Sequence, residues 1–93
     1  MKHTETYDSV WDAISDTPYE SANMRAKSEL MAQIVSIIKK KDLTQAESSQ
    51  QCGITQPRMN DLLRGRISKF SLDALVNIAT SIGLRVHIDV EVA

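Results

Sequence analysis

One cysteine, two prolines, three glycines and four aromatic residues are all that this chain of 93 residues holds of those types. Cys52 has no disulfide partner within the chain, so stability must come from a packed core, and a reducing cytoplasm is the expected setting. No stretch approaches the roughly 18 apolar residues of a membrane span. The opening MKHTETYDSV has no apolar run behind its lysine, so no secretory signal is expected. His3 and His87 lack ligand spacing, which leaves metal sites without a basis. Cys52 and His87 have no third group to make a nucleophile pair, so neither an enzyme nor a cofactor is expected. The remainder, 42% apolar and 25% charged residues, matches one ordinary small globular domain.

A net charge of −1 gives no bulk attraction to nucleic acid, but the charge is unevenly placed. Residues 1–23 set Lys2 against Glu5, Asp8, Asp12, Asp16 and Glu20, a net −4. Residues 24–41 set Arg25, Lys27, Lys39, Lys40 and Lys41 against Glu29, a net +4. Farther on, Arg58, Arg64, Arg66 and Lys69 surround the single anion Asp61. An acidic arm, a basic helix and a basic cluster imply two partners, or an arm folded on its own body.

In the arm, Tyr7, Val10, Trp11 and Ile14 fall at helical spacing, and Pro18 is read as the stop of that short helix. ESANMRAKSELMAQIVSIIKKK predicts a stronger helix, with Leu30, Met31, Ile34, Ile37 and Ile38 in one stripe. Thr44 to Glu47 is a capping box that opens a helix, and Gly53 closes it in a left-handed conformation. Thr55 caps the next helix, with Pro57 in its first turn, Met59, Leu62 and Leu63 inward, and an end near Gly65. Ser71 caps a last helix with Leu72, Leu75, Val76, Ala79 and Ile82 inward. Then the period changes to two: Leu84, Val86, Ile88, Val90 and Val92 alternate with polar residues, predicting a strand.

The stretch TQAESSQQCGITQPRMNDLLRGR, residues 44–66, holds four of the five glutamines. Two short helices across a glycine turn fit a helix-turn-helix, whose second helix can enter a DNA major groove. With Met59 inward, Pro57, Asp61 and Arg64 point nearly opposite, Asn60 and Arg58 flank them, and Gln56 leads the first turn. Amides there offer a donor and an acceptor to adenine, and Arg58 suits guanine or a phosphate. Gln50 and Gln51 read as a solvated face, and Cys52 as a small buried residue behind the turn.

LTQAE, CGITQPRMNDLLRG and FSLDALVNIATSIGLRV resemble the lambdoid-repressor (XRE) helix-turn-helix family, within it the HigA-like antitoxin and regulator group, over about residues 24–92. The resemblance implies an all-α, lambda-repressor-like domain of four to five helices. It places Gln56, Pro57, Arg58, Asn60 and Asp61 toward bases, and Gln45, Arg64, Gly65 and Arg66 toward the DNA backbone. Thr44 and Thr55 at the helix starts, and Lys69 near the end of the second helix, are further candidates for phosphates. The chain departs from the family at Ser48 and Ser49, where apolar residues are usual. Either the first helix of the unit packs loosely there, or the hydroxyls bond back to the preceding turn. The expected division is an acidic arm over 1–23, the helix-turn-helix domain over 24–83 and a dimerisation strand over 84–93.

A lone strand leaves its edge unpaired, so pairing with the same strand of a second copy is expected. The resulting homodimer would meet a palindromic double-stranded DNA operator. Toxins partnered with HigA-like proteins are typically basic ribonucleases of the RelE/HigB type, and an arm presenting Tyr7, Trp11 and Ile14 among acids would complement one. The alternative packs the arm on the lysines of its own body. The functional expectation is therefore a cytoplasmic, nucleoid-associated antitoxin that represses its own operon and neutralises a toxin nuclease. A regulator without a toxin, and an interaction module that has lost DNA binding, are the rivals.

Overall fold

Pro18 stands at the first position of a long helix. The computed structural model describes residues 17–92, so Tyr7, Trp11, Ile14 and the short helix expected around them lie outside the described residues. Helix α1 spans Pro18–Lys40. Proline confines the residue before it to extended backbone, and Thr17 at φ −135°, ψ 153° takes that shape as the N-cap. The Thr17 hydroxyl accepts from the Glu20 N–H at 3.2 Å, and the missing amide hydrogen of Pro18 falls where the helix has no use for one.

Three further helices follow among the described residues: α2, Gln45–Cys52; α3, Gln56–Leu63; and α4, Leu72–Ser81, with a 3₁₀ turn, η1, over Ile67–Lys69. The capping box forms as the sequence predicts. The Glu47 N–H donates to the Thr44 hydroxyl at 3.1 Å, and the Thr44 N–H donates to the Glu47 carboxylate at 2.9 Å. Gly53 closes α2 at φ 69°, a left-handed conformation that suits a residue without a Cβ. The Gly53 N–H returns to the Gln50 carbonyl and the Ile54 N–H to the Ser49 carbonyl, which satisfies the open end of the helix. Thr55 and Ser71 cap α3 and α4 in turn.

Helix α1 packs across α4, η1 and α3, while α2 sits between α3 and α4. Met31, Ile34 and Ile38 supply the floor of the core, met by Met59 and Leu62 from α3 and by Leu75, Ile78, Ala79 and Ile82 from α4. Ile67 and Phe70 complete it from the turn between α3 and α4. Helix α2 contributes little grease: it buries Cys52, Ser48 and Ser49. The Ser49 hydroxyl donates back to the Ala46 carbonyl at 2.9 Å, the local solution its position requires. The equally buried Ser48 hydroxyl makes no hydrogen bond among the described residues.

The strand expected over Leu84, Val86, Ile88, Val90 and Val92 does not form. Among the described residues, 84–92 is irregular chain with no ladder. The reason is physical. A strand needs a neighbour for its own N–H and C=O groups, and every other described element is a helix or a turn. Leu84 and Val86 still pack against the core, whereas Ile88, Val90 and Val92 are 76%, 89% and 98% exposed.

Candidate nucleic-acid interface

Helices α2 and α3 are each eight residues long and begin side by side, the Gln45 side-chain amide donating to the Gln56 carbonyl at 3.4 Å. That long contact is weak and ties the two starts together only loosely. Thr44 and Thr55 stand at the two caps with their hydroxyls already accepting helix N–H groups. The two helix starts, each carrying partial positive charge, therefore lie close together.

Along α3 the apolar side is fully covered, with Met59 and Leu62 at 0% exposure. Gln56, Pro57 and Arg64 are exposed, and Asn60 is partly so. None of the side chains of Gln56, Asn60 and Arg64 makes a hydrogen bond among the described residues. The amide-bearing side of the helix is therefore open.

Two of the residues expected to face bases have partners within the chain. The Arg58 guanidinium lies 4.2 Å from the centre of the Phe70 ring and donates to the Lys69 carbonyl at 2.6 Å. A hydrogen bond from a charged donor contributes about 1.5–3 kcal/mol and a cation over an aromatic ring about 0.5–2 kcal/mol. Partial exposure puts Arg58 near the low end of both ranges, about 2 kcal/mol together. A well-formed pair of hydrogen bonds to a base discriminates by about 1–3 kcal/mol, so withdrawing Arg58 to reach one gains little.

Asp61 is the second. Its carboxylate accepts from the Arg66 guanidinium at 3.0 Å, with the aspartate side chain 18% exposed and the arginine side chain 46% exposed. The backbone builds this pair. Gly65, at φ 71°, reverses the chain after α3, and the Arg66 N–H closes on the Asp61 carbonyl at 3.0 Å. The residue following such a glycine usually packs inward, as Ile54 and Leu84 do after α2 and α4. Arg66 instead lies against α3 and removes the repulsion that a bare aspartate would exert on phosphates. Lys69 remains exposed at the end of η1.

A model of the helix-turn-helix domain family matches residues 13–91. The chain belongs to that helix-turn-helix family. No curated protein sequence matches it. Membership supports DNA binding. No described helix is long and apolar enough to cross a membrane.

Two partners in the site have no signature in the sequence. Phe70, 2% exposed, seats Arg58, and its carbonyl accepts from Lys27 Nζ of α1 at 3.1 Å. Neither contact follows a helical or strand spacing, since the Lys27 bond joins residues 43 apart. Behind the turn, burial pushes the Cys52 thiol above its ordinary pKa while the charge of Lys41 pulls it back, which keeps the thiol protonated and packed as a small apolar group.

Proposed function

We propose that this helix-turn-helix protein is a sequence-specific, homodimeric DNA-binding antitoxin of the HigA-like XRE group. It represses its own operon and neutralises a RelE/HigB-like toxin nuclease. It works in the cytoplasm, against the nucleoid, and by binding alone rather than by catalysis. The observation that carries the DNA reading is the sidedness of α3: Met59 and Leu62 are wholly buried, and Gln56, Pro57 and Arg64 stand open on the other side. The antitoxin assignment rests on the resemblance of CGITQPRMNDLLRG and FSLDALVNIATSIGLRV to that group.

The dimer reading is supported by three exposed apolar side chains, Ile88, Val90 and Val92, in a segment whose alternation suits a strand. Two copies joined there would offer two α3 helices to a palindrome.

A gel shift with the promoter upstream of the coding sequence tests the proposal. Gln56→Ala is expected to weaken specific binding by about 1–3 kcal/mol and leave random DNA unaffected. Arg64→Ala is expected to weaken both alike and to lower the salt slope by about one. Equal losses on both DNAs for Gln56→Ala would remove that residue from base reading. Co-purification of a basic protein from the adjacent reading frame tests the toxin, and its absence leaves the regulator without one.

A further inference from the structure

We infer that α3 reads bases through neutral amides alone, Gln56 and Asn60, so that each half-site is selected by adenine in the major groove and neither by guanine nor by cytosine. The inference rests on the DNA-binding proposal above and narrows it to a class of base.

Within α3 four polar side chains offer themselves for readout, Arg64 at its C-cap being assigned to a phosphate. The chemistry of each of the four names a base: arginine suits guanine, aspartate suits the cytosine amino group, and an amide suits adenine. The structure engages two of the four. Arg58 is held from two directions at once, by the Phe70 ring at 4.2 Å and by the Lys69 carbonyl at 2.6 Å. Phe70 is 2% exposed, so the seat itself is anchored in the core. Asp61 is occupied by Arg66 at 3.0 Å, and that pair is fixed at the backbone by the Arg66 N–H on the Asp61 carbonyl. Arg66, 46% exposed, keeps its remaining N–H groups for solvent or a phosphate.

Gln56 and Asn60 are left. They are four residues apart in one helix, so they sit on neighbouring turns of the same face. Both side-chain amides are without a hydrogen bond among the described residues. An amide presents a donor and an acceptor together, the complement of adenine N6 and N7. Arg58 and Asp61 become positioning residues: one fixes the pitch of α3 against the turn after it, the other aims Arg66.

The test uses the unaltered full chain. Duplexes it retains from a random-sequence pool are sequenced, then resynthesised with 7-deazaadenine or 7-deazaguanine in place of single purines. Loss of adenine N7 at one or two positions per half-site is expected to weaken binding about tenfold, and loss of guanine N7 to change it less than about twofold. Arg58→Lys, which keeps a cation over Phe70, and Asp61→Asn are expected to retain the same sequence motif even where affinity falls. A motif whose guanine requires N7 and loses that requirement in Arg58→Lys overturns the inference, as does a C·G preference that vanishes in Asp61→Asn. Retention of duplexes without any motif overturns sequence reading as a whole. Failure to retain any duplex overturns the DNA-binding proposal beneath it, so the two failures are told apart.

Discussion

Helix α3 and the segment 84–92 carry comparable apolar faces and end with opposite degrees of cover. Met59 and Leu62 are 0% exposed, while Ile88 and Val92 are 76% and 98% exposed. The difference lies in the backbone. A helix satisfies its own N–H and C=O groups and needs only an apolar surface to lie on, which α1 and α2 provide. An extended segment needs that surface and also a neighbour for its main chain, and a helical domain has none to give. Periodicity therefore tells which side of an element must be covered. Only the surroundings decide whether one chain can cover it.

Truncation in each region separates the two cases most sharply. Leu62→Ala is expected to lower unfolding stability by about 2–5 kcal/mol, and Val90→Ala by less than about 0.5 kcal/mol at protein concentrations that keep the chain monomeric. Chemical denaturation measures both, and equal losses would erase the contrast. The next effect concerns the cover over the exposed segment. If a second copy supplies it, the double change Ile88→Asp, Val90→Asp is expected to raise the dimer dissociation constant by at least about tenfold, with the helical circular dichroism unchanged. Sedimentation equilibrium reads this directly, and an unchanged constant moves the dimer interface elsewhere.

Helix α2 sharpens the comparison from the other side, because it buries hydroxyls where α3 buries carbon. Ser48→Ala removes a buried hydroxyl with no partner among the described residues and is expected to raise stability by about 1 kcal/mol. A loss of stability would mean that the hydroxyl has a bond worth keeping. The smallest effect is that of pH on Cys52. Its folded pKa is raised above the ordinary thiol value of 9.0, so the folded state holds the thiol proton more tightly than the unfolded chain does. That contribution is full below about pH 9 and is lost as pH climbs through the folded pKa. Wild type should therefore lose slightly more stability than Cys52→Ala between about pH 8 and about pH 10, with melts as the measure.

Much of the fold is legible in the residues alone, and for an identifiable reason. The Thr44–Glu47 box, the Thr55 and Ser71 caps and the left-handed Gly53 all involve residues within a few positions of each other, where spacing determines geometry. The inward side of α3 comes from a period of 3.6. Pro18 opens α1 because the restriction it places on Thr17 gives that residue the extended shape of an N-cap, a consequence that spacing alone does not display. Ile67 and Phe70 enter the core from a short turn with no repeating pattern. Ile78, by contrast, stands at helical spacing from Leu75 and Ile82 and takes the inward place expected of Leu72 and Val76, which are only partly buried. Arg58 and Asp61 point outward on a helical wheel, yet a long side chain can bend back. Their partners, Phe70 and Arg66, lie beyond the end of α3, where helical spacing no longer applies.

Lys27 and Arg58 come from two different helices and grip consecutive carbonyls, those of Phe70 and Lys69. The scaffold helix and the reading helix thus share one fulcrum, and neither can tilt without dragging on the two peptide units that meet at Phe70. Evolution can vary the amides at the tip of α3 freely under such an arrangement, because the angle at which they are presented is set from behind.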